Sequence, residues 1–79
     1  MENIEIYEEA FMKIFSIDKK ELLNLKYQSI ESWDSVGHMA LIAELEEKFN
    51  IEMDIDDIIA FSDYKEGKQI LSKYEIEIK

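Results

Sequence analysis

Neither cysteine nor proline occurs in this 79-residue chain, arginine is missing, and glycine is found only at positions 37 and 67. Without cysteine there is no disulfide, no thiolate metal ligand and no thiol nucleophile. Without proline, and with so little glycine, the chain lacks the breakers that a turn-rich all-β domain needs. The pattern predicts an all-α fold. No apolar run approaches the roughly 20 residues that cross a bilayer. The opening stretch "MENIEIYEEAFMKIF" has neither the basic start nor the apolar centre of a secretory signal, so cytoplasm is the expected compartment. At this length one domain is expected over residues 1–79, with its core in 4–74 and a frayed tail at 75–79.

Positive charge is also scarce. Nineteen acids stand against nine bases, all of them lysine, for a formal net charge of -10. Residues 31–57 hold nine of those acids (Glu31, Asp34, Glu44, Glu46, Glu47, Glu52, Asp54, Asp56 and Asp57) and Lys48 alone as a base. Phosphates are repelled by such a surface, which argues against direct contact with nucleic acid or anionic membrane. A basic protein partner is attracted by it. A solvated acidic face with no partner has the same composition.

What the chain does contain is helical periodicity. Ile4, Tyr7, Phe11 and Ile14 recur as one stripe, widened by Met12 and Phe15, predicting a first helix over residues 4–15. A long connection follows, dotted with Ile17, Leu22, Leu23, Leu25, Tyr27 and Ile30, and is expected to drape over the core with a short helical turn at residues 21–25. The second helix is predicted over residues 35–49, with Asp34 as its N-cap. Val36, Met39 and Ala43 form one apolar row, and Ile42, Leu45 and Phe49 another; both are expected to be core. "NIEMDID" then alternates in a way that also suits a strand, although one strand has nothing to pair with. A short helix is predicted at residues 56–61. A last one is predicted over residues 63–74, capped by Asp63 or Ser62, with Tyr64, Gly67, Ile70, Leu71 and Tyr74 inward. The sum is a small four-helix bundle with three longer helices and one short helix before the last.

Within this pattern, "ESWDSVGHM" places a hydroxyl, Ser35, at the mouth of an acidic helix. Asp34-Ser35-Val36 at that position, "LEEKFNIEM" beginning ten residues after Ser35, and the order of helices together resemble the acyl carrier protein family, which includes peptidyl and aminoacyl carrier domains. The resemblance covers residues 4–74. It implies that Ser35 bears a 4'-phosphopantetheine arm, with Asp34 helping to present it to a phosphopantetheinyl transferase. Cargo, an acyl or aminoacyl group, would be held as a thioester on that arm and delivered to biosynthetic enzymes with basic docking surfaces. It further implies partner docking at Val36, Met39, Glu44, Glu46 and Glu47. Ile42, Leu45, Ile58, Phe61 and Ile70 would be an acyl pocket if they can part. The carrier would be a monomer and no enzyme in its own right.

Helix-start physics agrees with that role, because unpaired backbone N–H groups and partial positive charge favour a phosphodiester there. Ser35 alone, however, reads equally as a helix-start residue, the glutamates as a solvated face, and the proposed pocket and docking residues as plain core. Trp33 is expected to cover the base of the second helix, and His38 to be an ordinary surface or half-buried residue. His38 lies three positions from Ser35, within reach on a helix surface, yet nothing supplies the oxyanion hole or substrate pocket of a hydrolase. Two departures from the family pattern are Val36 for the common leucine, and Gly37 and Ala40 where fatty-acid carriers place acids. "WDSVGHM" is closer to carriers of polyketide, aminoacyl or surface-polysaccharide assembly.

Two alternatives come from other classes. A calcium loop starting at Asp54 needs an oxygen ligand, glycine and glutamate at its fifth, sixth and twelfth positions; Ile58, Ile59 and Lys65 stand there instead, so that reading fails. A non-carrying acidic adaptor or inhibitor of a basic protein fits the composition as well as a carrier does.

Overall fold

The computed structural model describes residues 2–79. Helix α1 (Asn3–Phe15), a 3₁₀ turn (Lys19–Glu21), α2 (Ser35–Phe49), α3 (Ile55–Ala60) and α4 (Tyr64–Ser72) follow in that order, with no strand among the described residues. This is a small all-helical bundle. Its boundaries follow local chemistry. Asp34 Oδ1 accepts from the Gly37 amide, and Asp63 Oδ1 from the Glu66 amide, so each carboxylate takes one amide that the helix start leaves unpaired. Ser16 and Asn50 stop α1 and α2 in the left-handed region.

An aromatic centre joins the elements. Phe11 lies between Tyr7, Phe15, Trp33, Phe61 and Tyr64, and Phe15 stacks on Trp33 with centroids 5.2 Å apart. Leu22 and Leu25 bring the long connection into this core, while Leu23 and Tyr27 remain outside it. The connection is pinned by an antiparallel bridge in which Tyr27 N donates to the Ser62 carbonyl and Tyr64 N to the Leu25 carbonyl. It is therefore a packed segment, and its helical turn falls at Lys19–Glu21 rather than at residues 21–25. The segment 51–54 forms no strand; Met53 is buried and Ile55 opens α3.

Three further expectations change. The last helix ends at Ser72, after which Glu75 turns the chain with φ 66°. The tail does not fray: Ile76 N donates to the Leu71 carbonyl, Asn3 Nδ2 donates to the Glu77 carbonyl, and Ile76 and Ile78 pack against the core. Finally, of the two apolar rows on α2, only the Ile42 row is inward, joined by Leu41; Val36, Met39 and Ala43 face solvent. Periodicity marks apolar faces, and a helix with two of them can bury only one against the same core.

Candidate functional site at the start of α2

Ser35 is the first residue of α2 and is exposed. The segment before it is held rigidly for a loop. Trp33, fully buried, donates its indole N–H to His38 Nδ1 at 3.0 Å and stacks on the same imidazole. Because Nδ1 accepts, the ring proton sits on Nε2, which donates to the Ile58 carbonyl at 2.7 Å. One imidazole thus ties the approach segment, α2 and α3 together. His38 was expected to be an ordinary surface or half-buried residue, and it is half-buried; its bond to Trp33 was missed, although the W-x4-H spacing, which lays an imidazole one turn into the helix beside the indole, is a signal that could have found it. With both nitrogens engaged, His38 is not placed as a base for Ser35.

Gly37 has a packing reason. A β-carbon there would collide with the Ser32 carbonyl and press on the Phe15 ring, so the close approach of the connection to α2 requires glycine. Its smallness is used inside the molecule rather than left open to a partner.

The expected docking glutamates diverge. Glu44 lies on the α1 side, where Lys13 Nζ reaches its carboxylate at 3.2 Å. Glu46 Oε2 accepts from the Met53 amide at 2.9 Å and so holds the segment leading into α3. Glu47 alone of the three is exposed. Val36 and Met39, by contrast, are exposed on the Ser35 side of α2. The expected pocket residues Ile42, Leu45, Phe61 and Ile70 all belong to the packed core, with Ile58 half-buried against it. A surface cleft of about 250 Å³ is lined by Tyr27, His38, Ile59, Phe61 and Ser62.

Helix α3 is anchored at its other side by a buried carboxylate that no periodicity announced. Asp57 accepts from Lys73 Nζ and from the Tyr74 hydroxyl, both at 2.6 Å, and Tyr74 Oη in turn accepts from the Asp54 amide at 2.8 Å. Those two donors, Lys73 foremost, hold the Asp57 carboxyl below the usual carboxylate range. Burial pushes the Tyr7 hydroxyl well above its ordinary value, and it donates to the Tyr64 carbonyl.

No helix among the described residues is long and apolar enough to cross a membrane. Comparisons with family models, curated proteins and solved structures found no match to this chain, so the family resemblance is carried by its residues alone.

Proposed function

We propose that this protein is an acyl carrier whose 4'-phosphopantetheine arm is attached through Ser35 Oγ. The observation that carries the reading is the placement of Ser35, exposed at the first position of a capped α2. The residues present fit the group. The first-turn amides of α2, those of Ser35 and Val36 among them, have no intrahelical acceptor and would favour a phosphate on that oxygen, and Asp34 fixes the turn by accepting from the Gly37 amide. Once attached, the arm supplies the thiol that holds the cargo. The chain itself presents the hydroxyl, keeps it accessible and excludes His38 from reacting with it, so the base for the modification comes from the transferase. A long acyl chain would have to part a packed core at Ile42, Leu45, Phe61 and Ile70; cargo kept at the surface requires no such opening. Gly37 is accounted for by packing; the acid missing at Ala40 favours a specialised pathway over general fatty-acid synthesis.

The reading is tested by intact mass after incubation with coenzyme A, Mg²⁺ and a broad-specificity phosphopantetheinyl transferase. Wild type is expected to gain one phosphopantetheine and Ser35→Ala none. No gain by the folded wild type, with an established carrier modified in parallel, would overturn it. The exposed acidic and apolar face of α2 also suits a second reading, a non-carrying adaptor that binds a basic protein. Such an adaptor keeps its activity in Ser35→Ala, whereas a carrier loses it.

A further inference from the structure

Imidazole takes two neutral forms and one charged form, and the partners of His38 fit only one of them. The Trp33 indole N–H can only donate, so Nδ1, 3.0 Å away, must present a lone pair. The Ile58 carbonyl can only accept, so Nε2, 2.7 Å away, must carry the proton. The neutral Nε2–H form satisfies both partners, and the neutral Nδ1–H form satisfies neither. The imidazolium keeps its bond to α3 but sets a second N–H against the indole N–H. One proton therefore breaks one bond.

That bond is the one nearer the serine. Trp33 is fully buried and stands two residues before Ser35. Its carbonyl accepts from the Gln28 amide, and its indole N–H is held by His38. The next residue, Asp34, caps α2 through its side chain and accepts from the His38 amide through its carbonyl. His38 thus grips the approach to Ser35 twice, by its amide on Asp34 and by its ring on Trp33. Only the ring contact depends on the protonation state.

The groups packed around the ring do not share its titration. Tyr27 from the connection, Ile59 of α3, and Phe61 and Ser62 before α4 line the cleft beside it, and of these Tyr27 alone titrates. Among the acids of the adjoining elements, Asp34 binds the Gly37 amide, Asp63 the Glu66 amide, and Asp57 is engaged by Lys73 and Tyr74. Lys26 and Glu31 on the connection are exposed. Asp57 gains its proton only below the usual carboxylate range, outside the span of about pH 8 to 5 in which histidine ordinarily changes charge.

Resting on the carrier reading above, we infer that His38 is a positioning residue for the modification of Ser35, and that protonating its ring releases the Trp33 anchor and slows the transfer. In that transfer Ser35 Oγ bonds the pantetheine-bearing phosphorus of coenzyme A, the pyrophosphate bond breaks, adenosine bisphosphate leaves, and the serine proton passes to the transferase. The imidazole takes no part in the bond-making; it holds the turn on which the hydroxyl stands.

Two variants separate the two ring bonds. His38→Asn puts an acceptor where Nδ1 stands and keeps the indole bond, whereas His38→Gln puts a donor where Nε2 stands and keeps the Ile58 bond. Neither replacement titrates. After thermal melts confirm that all three proteins are folded, kcat/KM for phosphopantetheinylation is measured at about pH 8 and about pH 5. Ratios taken at each pH cancel the titration of the transferase itself. At the alkaline end His38→Asn is expected within about twofold of wild type, and His38→Gln about tenfold below it. At the acid end wild type is expected to fall to the level of His38→Gln, leaving His38→Asn about tenfold faster than both. In NMR spectra the Trp33 indole proton is expected to shift together with the His38 ring signals in wild type, and to stay in place in His38→Asn. Ratios that ignore pH, His38→Asn as slow as His38→Gln, or an indole proton unmoved while the His38 ring titrates would each overturn the inference and leave the carrier reading intact. Failure of wild type to be modified at either pH would remove the carrier reading and the positioning role with it.

Discussion

Both glycines are fixed by what lies against them, a backbone carbonyl in one case and aromatic side chains in the other. Gly67 packs so closely that a β-carbon would fall onto the Tyr7 hydroxyl and the Phe61 ring, both in the centre of the core. Gly67→Ala is expected to cost about 1–3 kcal/mol by overpacking, read as a lower urea midpoint with an unchanged slope. Gly37→Ala meets a backbone carbonyl, Ser32, and so shifts the segment that leads to Ser35. Its cost is expected to be similar, accompanied by slower modification of the serine. Neither reason was legible in the sequence, where a helical glycine signals only a weak position. Asp34 and Ser35 were legible, because a cap and the helix start it fixes depend on residues three apart. The His38 bridge was half legible: its spacing from Trp33 is local, but its bond to Ile58 spans twenty positions.

Elements follow the same division. The extent of α2 was read to the residue, since a cap opens it and Asn50 closes it. Which of its apolar rows points inward was not, because that depends on where α1 lies. Helix α3, only six residues long, cannot be stable by itself and is held through polar bonds, His38 from α2 on one side and Asp57 to the α4 end on the other. The Asp57 contribution has a definite pH sign. Its carboxyl is held low in the folded protein, so its stabilisation is complete above the usual carboxylate value of about 4 and disappears as the pH falls through the lowered one. In urea titrations Asp57→Asn is expected to be less stable than wild type at neutral pH, with the gap closing as the solution is acidified below that range. A gap that stayed constant down to the acid limit would show that Asp57 acts by shape rather than charge.

At the scale of the whole molecule, excess acid opposes the compact state. With a net charge of -10, and with the lysines of the ion pairs Lys13–Glu44, Lys19–Glu8, Lys73–Asp57 and Lys79–Glu77 all largely exposed, screening relieves more repulsion than attraction. Raising NaCl from about 0.02 to 0.5 M is therefore expected to raise Tm by about 5 °C, corresponding to about 1 kcal/mol for a domain of this size. A Tm that fell with salt would mean that the ion pairs outweigh the repulsion. The packed tail belongs to this scale too. "EIEIK" looks like a loose end because nothing local orders it; the turn at Glu75 returns Ile76 and Ile78 to the core and sets the Glu77 carbonyl against Asn3. Trp33, finally, is the chain's one tryptophan, fully buried, bonded through its N–H and stacked between Phe15 and His38 two residues from the exposed serine. The molecule thus carries a built-in optical probe: excited at wavelengths that its four tyrosines do not absorb, its emission comes from one indole, beside the very residue where a label would otherwise have to be introduced, and reports without modification on whatever disturbs the start of α2.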